Sequence, residues 1–198
     1  MKQDIPLRCV CGKVKAVLKD ATPARANRVV CCCNGCRQYA HVLGREEEIL
    51  NAFGGTEVFQ LSPLHLILLE GKEHIACLQQ TPKGALRWYA SCCTSPLFNT
   101  LPTLNMPFIG VLRHCVDEER LDVPFEDIVG PIRATLNTQD DFPTKDAKKH
   151  NATMWSLFTM IGRLMPMFFA WKLRGHHKDF PFRDPKTGKP TLPVQTNI

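Results

Sequence analysis

The sequence predicts a mainly β protein: short antiparallel strands with a few short helices, followed by a helical tail. Three observations predict it. Short runs rich in β-branched and aromatic residues recur between Pro and Gly turns along residues 1–136. Closely spaced cysteines stand at the ends of several of those runs, where the chain reverses. A long apolar stretch with helical periodicity comes only after residue 150.

The elements follow in order. Arg8–Cys9 and Lys13–Leu18 flank the turn Cys9-Val10-Cys11-Gly12, in which Gly12 supplies the positive φ that such a reversal needs. Arg28–Cys33 is β-branched and runs into a second cysteine cluster. Glu57–Leu61, Leu66–Glu70, His74–Gln79, Leu86–Ala90 and Phe108–Arg113 are further strands, separated by Pro63, Gly71-Lys72 and Pro82-Lys83-Gly84. One short helix is expected from the Gly35-Cys36 corner through Ala40. Another is expected over Glu46–Phe53, with acidic residues at its positive end and Gly54-Gly55 as its stop. Val116–Ala134, interrupted by Pro124 and Pro131, reads as loops and helical turns, and Asn137–Lys149 as a polar linker.

Ala152–Leu173 carries the strongest helical pattern. Thr153, Ser156, Thr159 and Arg163 draw a narrow polar stripe on an otherwise apolar cylinder; Pro166 is expected to kink it and Gly175 to cap it. The proline-rich residues 176–198 read as an extended strap or a disordered end. The expected organisation is a zinc-binding β domain over 1–136, a linker over 137–150 and a basic tail over 151–198.

Charge is unevenly distributed. Residues 1–144 carry 15 Lys/Arg against 16 Asp/Glu, whereas residues 145–198 carry 10 against 3. The body is therefore no nucleic-acid platform, and the tail attracts anionic membrane surfaces or acidic partners. Met1–Val10 holds no apolar run of signal-peptide length, so a cytoplasmic, reducing compartment is expected. Ten thiols in such a compartment argue for metal over disulfides.

The cysteine spacing says which metal. Side chains alternate along an extended segment, so Cys-x-Cys aims two sulfurs at one ion while the middle residue faces away. Cys9 and Cys11 form one such clamp, Cys31 and Cys33 another, and Cys32 then reads as a small buried hydrophobe. Cys36 closes a knuckle with Cys31 and Cys33 as the chain turns into a helix. Three thiolates on Zn²⁺ leave one position for water or a substrate thiol; the alternative is a closed structural site with a fourth ligand such as a His or Cys77. The first clamp needs partners from a distant segment, and Cys92-Cys93 supplies them if the chain turns there, with Thr94-Ser95-Pro96 as the expected turn. Two zinc ions per chain are expected. Cys77 and Cys115 read as core thiols, the histidines 41, 65, 74, 114 and 150 as lone residues, and Glu46-Glu47-Glu48 as a solvated helix start.

Three motifs together carry a resemblance: Arg8-Cys9-Val10-Cys11-Gly12-Lys13-Val14; Cys31-x-Cys33-x-x-Cys36-Arg37; and Arg87-Trp88-Tyr89-Ala90 through Cys93-Thr94-Ser95-Pro96-Leu97. In this order, over roughly residues 7–113, they resemble the glutathione-dependent formaldehyde-activating enzymes, a family that includes the centromere protein V branch. The resemblance implies a β-tent fold, a structural zinc on the first and third motifs, and a catalytic zinc on the middle one. It implies carbon–sulfur lyase chemistry that joins formaldehyde to glutathione. The chain departs from the pattern at Ala90, where the family has a ligand cysteine: either Cys92 takes that role beside Cys93 through an altered turn, or the site keeps three protein ligands or is completed by water. The helical tail also lacks a counterpart in the short enzymes of the family, which marks a divergent branch.

Two functions follow as expectations. One is a lyase-like enzyme acting on glutathione or a similar thiol adduct, with Cys31, Cys33 and Cys36 at the catalytic ion and Arg37 either pairing with a glutathione carboxylate or simply solvated. The other is a non-catalytic zinc-stabilised interaction module that its tail recruits to a partner or membrane. The tail itself has three readings: docking on the body, docking on a second subunit of a homodimer, or lying on a membrane surface. In the last, Trp155, Trp171 and Phe168-Phe169 insert, with Lys172, Arg174 and Lys178 at headgroups. A span across the bilayer is disfavoured by Arg163 and Pro166.

Overall fold

The computed structural model describes residues 2–103, 106–137, 154–176 and 180–196. Strands β1 (Gln3–Arg8) and β2 (Lys15–Ala21) pair antiparallel around the Cys9–Val14 reversal. β3 (Asn27–Cys31) leads into helix α1 (Asn34–Val42) and a single turn α2 (Glu46–Ile49). There follow β4 (Thr56–Leu61), β5 (Leu66–Glu70), β6 (Ile75–Leu78), β7 (Leu86–Ala90), β8 (Ser95–Thr100) and β9 (Ile109–Leu112). Helix α3 (Phe125–Val129), β10 (Ala134–Leu136), the long helix α4 (Met154–Leu173) and β11 (Val194–Gln195) complete the described chain. The mainly β class with a C-terminal helix is as expected.

β5 joins β2 to make a three-stranded sheet, β1-β2-β5. The remaining strands form an open sheet in the order β10-β3-β4-β9-β8-β7-β6-β11, antiparallel except where β10 and β11 pair parallel at its edges. The principal core lies between the sheets, where Ile5, Leu7, Val14 and Leu18 meet Phe59, Trp88, Phe98 and Val111. Alternation along β7 decides the rest. Leu86, Trp88 and Ala90 enter this core, while Arg87 and Tyr89 face the other side, where α1 packs Tyr39, Ala40 and Leu43 against Val29, Val58 and Leu112.

Several boundaries differ from expectation, each for a local reason. The second helix stops at Ile49, not Phe53. Asn51 Oδ1 accepts from the backbone N–H groups of Phe53 and Gly55 at 3.0 and 2.9 Å, and Leu50 bridges to Thr56, so the chain has already turned towards β4. The reversal expected at Thr94-Ser95-Pro96 lies at residues 91–94, with Thr94 at φ 54; Ser95 and Pro96 already belong to β8. The strands β1, β8, β10 and β11 have weak local signals and owe their existence to neighbours. Of the expected linker, only Asn137 falls within the described residues.

The segment after α4 is built into the body. Phe180 and Phe182 lie against Trp88 with ring centroids 5.3 and 5.6 Å away. The buried Arg183 donates to the carbonyls of Gly188 and Leu101 at 2.7 Å each, and Tyr89 OH donates to Gln195 Oε1 at 2.8 Å. α4 runs as one helix through Pro166. Its inner face packs Leu164, Phe168 and Trp171 with Phe108, whose ring stacks on Phe168 at 5.4 Å. Arg163 reaches from the helix to the carbonyls of Pro23 and Ala26. Phe168 and Trp171 are therefore core residues and leave the set that the membrane-surface reading inserts; of that set Trp155 and Phe169 are exposed. Among the described residues no helix is long and apolar enough to cross a membrane.

If the terminal strap is structural, removing one of its rings must cost as much as a central core truncation. Phe182→Ala should lower the unfolding free energy by about 3–5 kcal/mol in urea or thermal denaturation, and a loss below about 1 kcal/mol would show the strap to be dispensable.

Candidate metal centres

All ten cysteines are free thiols, and seven of them gather into two groups. The first unites Cys9, Cys11, Cys92 and Cys93, whose sulfurs all lie within 4.8 Å of one another. It joins the β1–β2 turn of the small sheet to the β7–β8 turn of the large one. Cys9–Cys11, Cys9–Cys92, Cys11–Cys92 and Cys92–Cys93 are separated by 3.6, 3.9, 3.3 and 3.9 Å. Four sulfurs each about 2.3 Å from one zinc ion stand about 3.8 Å apart at tetrahedral angles, so the donor set fits that ion. The tight turn brings the adjacent Cys92 and Cys93 to one side, and Cys92 takes the role that Ala90, buried in the core at the end of β7, cannot fill.

Backbone and side-chain groups fix these sulfurs. Val14 N–H donates to Cys9 Sγ at 3.2 Å, and Gly12 N–H to the Cys9 carbonyl at 2.9 Å. Val10 N–H donates to Ser95 Oγ at 2.9 Å, and Ser95 Oγ lies 3.1 Å from Cys93 Sγ. Arg45 holds the turn from outside by donating to the Cys93 carbonyl at 2.6 Å. Burial pushes the Cys9 and Cys92 thiols up. Against the same upward push, hydrogen bonds from Ser95 and from Cys11 bring Cys93 down to about 6.

The second group is Cys31, Cys33 and Cys36, also within 4.8 Å of one another. Cys31 ends β3, Cys33 caps α1, and Cys36 lies in its first turn, where its N–H donates to the Cys33 carbonyl at 3.0 Å. Cys31 and Cys33 are 3.5 Å apart at Sγ; Cys36 is buried and the other two are partly exposed. Hydrogen bonds from the thiols of Cys31 and Cys36 pull Cys33 down to about 2, and the same contacts push Cys36 up. One thiolate held by two thiols is what crowding permits without a cation; a divalent ion is what lets all three ionise. Among the described residues, no fourth Cys, His, Asp or Glu joins this group.

Reasoning from sequence alone missed Arg87. Its guanidinium is buried beside Cys36, with Nη1 and Nη2 at 3.8 and 3.9 Å from Sγ. Gln80 Oε1 accepts from Nε at 2.9 Å, and the Tyr39 ring lies 5.0 Å below. Gly35 leaves room here: a Cβ would stand 3.0 Å from Arg87 Nη2 and press on the guanidinium. The available signal was alternation: an arginine in the run Leu86-Arg87-Trp88-Tyr89-Ala90 shares the face of Tyr89 and so points towards α1. Three thiolates would leave a bound zinc ion's centre at net −1, a charge that Arg87 would offset.

Other candidates fall elsewhere. Arg37, partly exposed on α1, donates to Asn34 Oδ1. His41 pairs with Glu46 at 2.5 Å, and His114 Nε2 lies 3.4 Å from Glu48; no histidine joins either cysteine group among the described residues, and His150 lies outside them. Cys32, Cys77 and Cys115 are buried, and burial raises their thiols to about 11, 12 and 12.

The fold and these groups define a mainly β protein with two cysteine centres suited to metal. The chain belongs to a family of unknown function (DUF6151), whose model matches residues 1–170. No curated protein matches it. Among solved structures it is similar to a Rhodobacter sphaeroides protein from structural genomics, at 18% identity and a TM-score of 0.41 over 64% of this chain and 96% of that one.

A cysteine inside a group and a cysteine outside both groups make different predictions on substitution. Cys92→Ser should lose the zinc of the four-sulfur centre and with it the fold, as Cys11→Ser should, whereas Cys77→Ala should leave the zinc content, measured by elemental analysis, unchanged. Equal zinc in Cys92→Ser and the parent would contradict the four-sulfur centre.

Proposed function

We propose that the chain is a zinc-dependent, carbon–sulfur lyase-like enzyme of the cytoplasm, acting on glutathione or a similar thiol adduct. The observation that carries this reading is the convergence of Cys31, Cys33 and Cys36 without a fourth ligating residue among those described, beside a buried arginine. The resemblance to the glutathione-dependent formaldehyde-activating enzymes supplies the substrate class.

Zinc held by these three cysteines would supply a cationic position that favours the thiolate form of an incoming thiol. The reaction is an addition: the thiol sulfur forms a bond to the aldehyde carbon, the carbonyl π bond opens, and the S–H proton ends on the new hydroxyl oxygen. The reverse direction breaks the same carbon–sulfur bond. The chain's contribution is placement and charge. The Cys33–Cys36 knuckle at the start of α1 fixes two sulfurs, and the end of β3 fixes the third. Arg87, held by Gln80 and Tyr39, offsets the negative charge that a further thiolate would add. Arg37, one residue past Cys36 and partly exposed, is the cation assigned in this reading to a carboxylate of glutathione. The other centre, tying the two sheets together, is structural.

The experiment is ligand exchange on the cobalt-substituted chain together with consumption of formaldehyde and glutathione. Glutathione should change the visible spectrum of one of the two cobalt sites; a spectrum indifferent to thiol favours the interaction module instead. Cys33→Ser should abolish activity and exchange while the fold persists, and Cys11→Ser should unfold the protein. Both variants folded and equally active would contradict the assignment. Arg87→Gln should keep both metals and the fold but weaken thiol exchange about 10- to 100-fold, with Arg87→Lys recovering part of it.

A further inference from the structure

α4 is apolar on two opposite faces, and the body covers one of them. Leu164, Phe168 and Trp171 pack inwards against Phe108. On the outward side Trp155, Phe158, Ile161, Met165, Phe169 and Leu173 recur at spacings of three and four, with relative exposures from 51% to 74%. A stripe of six large apolar side chains over a 20-residue helix is far more than the scattered apolar residues of an ordinary surface. Something covers it.

The sequence narrows the choice. Residues 138–153 leading into the helix contain Phe142 as their one large apolar side chain, so this segment lacks the means to cover the stripe. A second copy of the chain would bring together two C-terminal segments, residues 145–198, that each carry 10 Lys/Arg against 3 Asp/Glu. The same charge favours an anionic surface, and within Met154–Leu173 there is no acidic residue at all. The exposed Lys172 and Arg174 stand at the C-terminal end of the stripe, and the exposed Trp155 at its other end, where an indole suits the headgroup boundary. Arg163, which would oppose insertion, is turned inwards onto the carbonyls of Pro23 and Ala26.

We propose that the outward stripe of α4 is a docking surface for anionic lipid, on which the helix lies parallel to the membrane plane with its inner face still seated on the β body. This corrects the insertion set expected from sequence: Phe158, Ile161, Met165 and Leu173 join Trp155 and Phe169, while Phe168 and Trp171 stay in the core. It does not rest on the lyase reading.

The test is co-sedimentation of the full-length, zinc-loaded chain with phosphatidylcholine vesicles, with and without phosphatidylserine. The chain should partition onto the phosphatidylserine vesicles and be released by high salt. The double variant Phe158→Glu/Phe169→Glu should reduce the bound fraction about tenfold or more while zinc content and thermal midpoint stay unchanged. If that variant loses its fold, Lys172→Glu/Arg174→Glu carries the same test. No partitioning of the parent chain, or equal partitioning of a folded variant, overturns the proposal. So does a dimer in solution that the double variant dissolves, which would assign the stripe to a second copy.

Discussion

The structure depends on seven sulfurs held too close together to ionise alone. In each group the sulfurs lie within 4.8 Å of one another, and without a cation most must stay protonated. A divalent ion inverts that balance, releasing protons and turning a crowded thiol cluster into a cross-link. At the four-cysteine centre the cross-link joins the turn of one sheet to the turn of the other, which makes it part of the contact between the two layers. With an ion bound, the core between the sheets and the cluster at their margin would hold the same interface by different physics, burial in one case and coordination in the other.

The three-cysteine group sits on the other face of the large sheet, under α1, and there the surroundings differ in kind. The four-cysteine centre is supported by backbone N–H groups and Ser95, neutral donors that suit a closed, permanent site. The three-cysteine group has instead a buried, permanently charged arginine against one sulfur, anchored by an amide and an aromatic ring. A buried guanidinium is costly unless negative charge stands beside it. Three thiolates on a divalent ion would provide that charge, and the arginine would in turn offset one more negative ligand. On this asymmetry rests the proposal that one centre is structural and the other reactive.

What was legible in the sequence was short-range. Cys-x-Cys and Cys-x-x-Cys encode their geometry in strand alternation and in a helix start, so the composition of both groups could be read directly. That Cys92 joins Cys9, Cys11 and Cys93 was only one of the arrangements the sequence left open, and the turn that brings it there lies three residues before the expected one. Long-range features were not legible. Arg87 meets Cys36 only because β7 passes under α1, across 51 residues of chain. β11 exists because β6 offers an edge, and Phe180 and Phe182 are core because Trp88 and Phe98 leave room for them. The stripe on α4 was visible as an apolar cylinder, but which face turns outwards was fixed by Phe108, a residue in a distant loop.

The claim most exposed to refutation is that Cys31, Cys33 and Cys36 hold an ion whose fourth position accepts an external thiol. X-ray absorption at the zinc edge reads it directly on the zinc-loaded chain. The account predicts a mean of between three and four sulfurs per ion, rising to four when glutathione is added. A mean of four before any thiol is present, or no change on its addition, would contradict it.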